Sequence, residues 1–217
     1  MWTAWIVLAS AGELNFSPDR PGVGNSTGTV GRGRVMIEGG VAAAVAQPSA
    51  ISTNSIIGRI GVDDPVEIRV RAPDITVYDG DVSTGFVGLG SKVGGNLSEY
   101  WSASVVPEIA IDTNGGGFFG LINAQIGLTL DSVGLWTTAE SMVGDFGSGT
   151  TAGGGVSVAI AGGGVYANGG GTFGGDPFVG GGGWWALQDA VQLDIGCDVY
   201  LGNDVVPVFL LGASFGF

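Results

Sequence analysis

The side chains available for chemistry in this chain are few. There is no histidine, one cysteine (Cys197) and one lysine (Lys92) in 217 residues. Without histidine a serine–histidine–carboxylate relay is excluded, and the commonest metal ligand is missing. A lone cysteine excludes an intrachain disulfide. A serine–lysine pair built on Lys92 stays open, with no motif to support it. The stretch Gly88-Leu89-Gly90-Ser91-Lys92 has a superficial phosphate-loop look. It lacks the Gly-Lys-Ser/Thr order, no helix follows, and it alternates like a strand. Two carboxylate pairs, Glu108/Asp112 and Asp194/Asp198, have a spacing of four. On a strand that spacing is about 13 Å, too far for one metal or one acid/base pair. No catalytic residue, metal site or cofactor is therefore expected, and the chain reads as a non-enzyme.

The charges are more informative by their distribution. By side-chain phase, Arg34, Arg59, Arg69, Arg71 and Lys92 point to one face of the first four strands, with Glu38 and Glu67 interspersed. Glu108, Asp131, Glu140, Asp194 and Asp198 point the same way from later strands. This can be a set of ion pairs bracing a narrow interior, or a field across a pore. The net charge of −13 argues against a nucleic-acid partner, which requires a basic footprint.

The elements that position these charges are strands. The chain holds 44 glycines, and 45% of its residues are apolar while only 12% are charged. That is too apolar for a disordered chain and poor in charge for a soluble domain. No apolar run reaches the ~18 residues a spanning helix needs. Instead, segments alternate. Val191, Leu193, Ile195, Cys197, Val199 and Leu201 oppose Gln192, Asp194, Gly196, Asp198 and Tyr200. Ile122, Ala124, Ile126, Leu128 and Leu130 oppose Asn123, Gln125, Gly127 and Thr129. The fold expected is all-β: a transmembrane antiparallel up-and-down β-barrel of twelve strands, with ten as the alternative. The expected strands are 33–46, 52–62, 65–72, 84–94, 99–111, 118–131, 133–145, 154–162, 164–171, 177–187, 190–201 and 205–217. A soluble sandwich would give the same alternation, but its outer face would carry more charge.

With strand 1 leaving the periplasm, the longer connections (73–83 and 146–153 among them) fall outside and the short turns inside, the outer-membrane pattern. Aromatics then form two girdles: Trp101, Trp136, Trp184, Trp185, Phe215 and Phe217 at one rim, and Phe118, Phe146, Phe178, Tyr200 and Phe209 at the other. Pro107 within a strand implies a bulge. Residues 1–11 read as a truncated export signal, and 12–31 as a periplasmic tail or a plug entering the lumen. Residues 32–217 form the barrel. Cys197 is expected to face lipid as a small apolar residue. The last strand ends Phe215-Gly216-Phe217, which resembles the C-terminal assembly signal of outer-membrane barrels and implies the barrel assembly machinery and outer-membrane lipid as partners.

The stretch Asn15–Val41, with Asp19-Arg20-Pro21, Ser26, Thr27, Gly33 and Arg34, resembles the opening of a family of Gram-negative outer-membrane proteins. These are commonly labelled transporters or proteins of the phenol meta-cleavage pathway. The similarity continues through Ile56–Pro73, through Gly88–Lys92 and into the terminal strand. The resemblance implies a barrel with both termini periplasmic and a role in moving a small-molecule substrate, often hydrophobic or aromatic. Asp19, Arg20 and Pro21 would dock at the periplasmic mouth. A closed structural or adhesive barrel and a soluble all-β binding protein are the competing functions.

Overall fold

A computed structural model describes residues 18–19, 26–46, 49–145, 147–160, 162–188 and 190–217. Its fourteen strands are β1 (Val35–Ala44), β2 (Ala50–Asp63), β3 (Val66–Arg71), β4 (Ile75–Tyr78), β5 (Asp81–Thr84), β6 (Phe86–Asn96) and β7 (Trp101–Asp112), then β8 (Phe118–Leu130), β9 (Val133–Gly144), β10 (Gly147–Ile160), β11 (Gly163–Thr172), β12 (Pro177–Gln188), β13 (Val191–Leu201) and β14 (Val205–Gly216). β1, β2, β3 and β6 through β14 pair antiparallel with their sequence neighbours, and β1 also pairs with β14. The sheet is therefore a closed ring of twelve strands among the described residues, which removes both the ten-strand and the sandwich alternatives. The seam runs to the chain end. Phe217 donates its N–H to the Val35 carbonyl at 2.8 Å and accepts from the Val35 N–H at 3.1 Å. Closure of this kind leaves no open edge, a requirement in lipid, where an unpaired backbone group has no water to turn to.

The polarity is inside-out. Ile109 is 66% exposed and Leu89 62%, while Arg59 and Lys92 are fully buried. Apolar residues cover the outside of every strand of the ring, and no helix among the described residues is long and apolar enough to cross a membrane. In β14, Phe209, Leu211 and Phe215 point out while Gly212 and Ser214 are buried inward. Cys197 lies in the outward phase of β13, half-buried.

Three expectations of local structure are corrected. Residues 73–83 are not a plain loop: β4 and β5 form a hairpin that extends along the start of β2, joined by Asp79 and Gly80, both at positive φ (50° and 86°). Asp-Gly suits the type I′ geometry that such a turn needs. Residues 147–153 are the first half of β10, not a loop, paired with β9 from Gly147 onward. Pro107 makes no bulge: the pairs Gly90↔Glu108 and Val93↔Val105 keep one register across it, and Pro107 pairs Ile122 on the other side. The register shifts fall instead at Gly39, Val62 and Leu187.

The aromatic girdles are thinner than the sequence implied. Trp101, Trp185, Phe215, Phe217, Phe118 and Phe209 do stand outside. Trp136, Trp184, Phe178 and Tyr200 turn inward, and Phe146 lies outside the described residues. The reason is glycine. A Cβ on Gly155 would meet the Trp136 ring, one on Gly164 the Trp184 ring, and one on Gly182 the Tyr166 ring, so glycines on neighbouring strands make room for the ring faces. Aromatic cover of a strand glycine is a known way to stabilise a curved sheet.

Candidate functional site

The interior wall of β1, β2, β3 and β6 carries the charges. Direct cross-strand pairing brings them into one patch: Arg59 opposes both Met36 and Arg69, and Glu67 opposes both Gly61 and Lys92. Two arginines opposed across a ladder would repel, so each must be met by a carboxylate. Arg59 donates to Glu38 at 2.6 Å and to Glu67 at 2.7 Å, and Arg69 donates to Glu67 at 3.2 Å. All four side chains are buried. The basic wall is thus an ion-pair network, as buried charges in a narrow lumen must be to offset their desolvation.

The third carboxylate comes from outside the ring. Asp19 of the N-terminal segment accepts from Lys92 Nζ at 2.7 Å and from Arg69 Nη1, and it lies 3.5 Å from Arg59. Ser26 of the same segment donates to it from its N–H at 2.9 Å and its hydroxyl at 3.0 Å. Burial opposes ionisation of Asp19, but Arg59, Arg69 and Lys92 outweigh it and hold the carboxyl well below the usual carboxylate range. The segment makes further contacts with the wall. The Asp19 N–H donates to Glu38 at 2.8 Å, the Val30 N–H to Glu67 at 2.9 Å, Thr27 to Ser102 at 2.8 Å, and Ser104 to the Ser26 carbonyl at 3.1 Å. Arg20 and Pro21 of the Asp-Arg-Pro motif lie outside the described residues, as do 1–11 and most of 12–25.

A second unit sits further along the lumen. Arg71 donates to Glu108 at 2.7 and 3.1 Å, a two-pronged pair, and its guanidinium lies 5.4 Å from the Phe86 ring centroid. Arg71 is on β3 and Glu108 on β7, with β6 between them. Gly88 faces inward on β6 at this level, and a Cβ there would collide with the Glu108 carboxylate. The glycines of the Gly-Leu-Gly-Ser-Lys stretch thus let Glu108 reach over β6.

The remaining expected residues are dispersed. Glu140 is half-buried on the inner face of β9, opposite Asn123. Asp194 and Asp198 are buried on β13, and Asp198 converges with Asn168 over Gly180. Arg34 is half-buried just before β1, at the mouth that carries the termini, where its carbonyl accepts from the Gly61 N–H at 2.9 Å. Asp131 is corrected: it lies not on a strand but in the tight turn between β8 and β9, exposed, at φ 52°. Sequence reasoning missed the lumenal Trp136, Tyr166, Asn168 and Trp184. Their phase could have been read from Gly164, Tyr166 and Asn168 alternating with Val165 and Ala167, but glycine on both faces of β12 hides it.

A closed twelve-strand ring with an apolar exterior and a polar, charged interior defines a porin-like transmembrane β-barrel, the architecture of outer-membrane channels. No protein-family model matches the chain, and no curated protein does. Solved structures do match in fold. The KdgM porin in complex with disordered oligogalacturonate superposes with a TM-score of 0.63 at 7% identity, over 84% of this chain and 99% of that one. The COG4313 outer membrane channel from Pseudomonas putida F1 gives 0.62 at 12% identity, over 91% of this chain and 99% of that one. The NanC porin gives 0.58 at 10% identity, over 83% and 98%.

Proposed function

We propose that the protein is an outer-membrane channel for passive passage of small molecules, closed at rest by its own N-terminal segment. The observation that carries this is the inverted polarity: an apolar belt outside and a lumen lined by ion pairs, carboxylates and aromatic faces. Diffusion down a gradient needs no catalytic group. The inward faces of Trp136, Tyr166, Phe178 and Trp184 favour hydrophobic or aromatic permeants, in line with the family that the opening of the chain resembles. The wall contacts of Asp19, Ser26, Thr27 and Val30 favour a plug over a free periplasmic tail for residues 12–31. Lipid at the apolar belt and the assembly machinery at Phe215 and Phe217 are the partners this reading requires.

A second reading, a sealed structural barrel, draws on the complete burial of Arg59, Glu67 and Lys92. Planar-bilayer recordings decide between them. The purified, heat-modifiable barrel should give discrete conductance steps that increase when residues 12–31 are deleted. Folded protein that conducts in neither form would leave only the sealed barrel. A chain that stays soluble and monomeric without detergent would overturn both.

A further inference from the structure

We propose that Arg69, Lys92 and Arg59 form a carboxylate-binding site for the permeating molecule, and that Asp19 is a built-in ligand occupying it. The inference rests on the plugged-channel reading above and gives it a ligand class. The argument starts from charge. Among the described residues the ring brings three cations to this patch, Arg59, Arg69 and Lys92; Glu38 and Glu67 pair with the arginines, and Lys92 pairs with Asp19. Lys92 is fully buried, and it is a carboxylate of the N-terminal segment that meets its charge. A buried unmatched charge is costly, so the bare wall attracts one anion.

Geometry makes the anion a carboxylate. Lys92 Nζ, at 2.7 Å, meets one oxygen of Asp19 and Arg69 Nη1 meets the other, so the two donors come from neighbouring strands, β6 and β3, onto a two-oxygen group. The occupant belongs to a segment that is not part of the ring. Its other anchors are the Val30 and Asp19 N–H groups on Glu67 and Glu38, the Gly28 carbonyl on Arg59, and the Thr27–Ser102 and Ser104–Ser26 bonds, none of which uses the Asp19 carboxylate. A molecule bringing its own carboxylate can replace that of Asp19 without a net change in the charge of the cluster, and its release removes the plug's ion pairs with Arg69 and Lys92.

The test separates site from channel. Asp19→Ala should create a vacancy of carboxylate size. Acetate should raise the thermal stability of detergent-purified Asp19→Ala, acetamide should not, and Asp19→Ala/Lys92→Met should respond about tenfold more weakly, the scale of losing one charged partner. Equal responses to acetate and acetamide, or a response indifferent to Lys92→Met, would overturn the site. Should Asp19→Ala not fold, the wild-type barrel answers instead: benzoate, and not benzamide, should accelerate cleavage before Asp19 by an aspartate-specific endoproteinase. No difference between the two would remove Asp19 as a displaceable ligand. Conductance is recorded in parallel. A carboxylate response without any conductance overturns the channel, and conductance without a carboxylate response overturns the site.

Discussion

Arg59→Met removes the centre of the lumenal network at nearly constant volume. Arg59 donates to Glu38 at 2.6 Å, to Glu67 at 2.7 and 2.9 Å, and to the Gly28 carbonyl at 3.3 Å. Its side chain and that of Glu67 are both fully buried, so solvent does not screen the loss. Breaking a buried pair by deleting one partner costs about 3–5 kcal/mol, because the other charge stays buried. Here Glu67 keeps Arg69 and the Val30 N–H, and Glu38 keeps the Asp19 N–H, so the lower end, about 3 kcal/mol, applies. Adding Glu67→Gln restores the balance, since Arg69 and Lys92 then face Asp19 and Glu38. The double variant should recover about 1.5–3 kcal/mol, the scale of one charged hydrogen bond. The assay is reversible urea unfolding of the barrel in lipid vesicles, followed by heat-modifiable gel mobility, with all four corners of the double-mutant cycle. Strict additivity, or an Arg59→Met barrel within about 0.5 kcal/mol of wild type, the range of an uninvolved surface site, would refute the network argument.

Breaking the second ion pair should change selectivity. Glu108→Gln removes one negative charge beside Arg71 in the lumen and should move the reversal potential in a KCl gradient toward anions; an unchanged potential would remove the pair from the permeation path. Gly88→Ala should give a similar shift without touching either charge, because its Cβ displaces the Glu108 carboxylate from Arg71. Glycine positions should also differ sharply in stability. Gly182→Ala meets the Ile195 carbonyl and the Gly196 backbone and should cost about 1–3 kcal/mol in urea unfolding. Gly149→Ala, with nothing within 4 Å, should stay within about 0.5 kcal/mol of wild type. Asp19 sets an acid limit on plug docking. Its carboxyl is held below the ordinary aspartate value of about 3.9, so its contribution is complete above that pH and fades only as pH falls through the lowered value. Pepsin should cut the first 30 residues of wild type only in stronger acid, whereas Asp19→Asn should be cut throughout the range in which pepsin is active.

Much of the barrel was legible in the sequence because a strand's two faces have a period of two, and each face here has one solvent. Apolar positions such as Ile195 and Ile122 can only face lipid, and their neighbours Asp194 and Asn123 then face inward. Closure follows from the prohibition on open edges in lipid, and the even count from an up-and-down barrel with both termini on one side. The inward direction of Arg59, Arg69, Arg71 and Lys92 was likewise a matter of phase. Where glycine occupies both faces, as in 147–155 and 180–183, phase vanishes, and with it the start of β10 and the inward turn of Trp184. Asp131 had the right parity but sat past the end of its strand, where parity no longer sets direction.

Partners were a different matter, because a pairing depends on which residues face each other across strands and on what enters the lumen. The sequence by itself determined a closed, lipid-embedded sheet with charge inside. Only the tertiary structure decided that Arg59 meets Glu38 and Glu67, that Gly88 lets Glu108 reach Arg71, and that Asp19, forty residues or more from the cations it joins, completes the charge of the wall. The physical reason is range. Side-chain direction is set by the two nearest peptide units, whereas charge neutrality in a low-dielectric lumen is settled among all the groups brought within a few ångströms of one another.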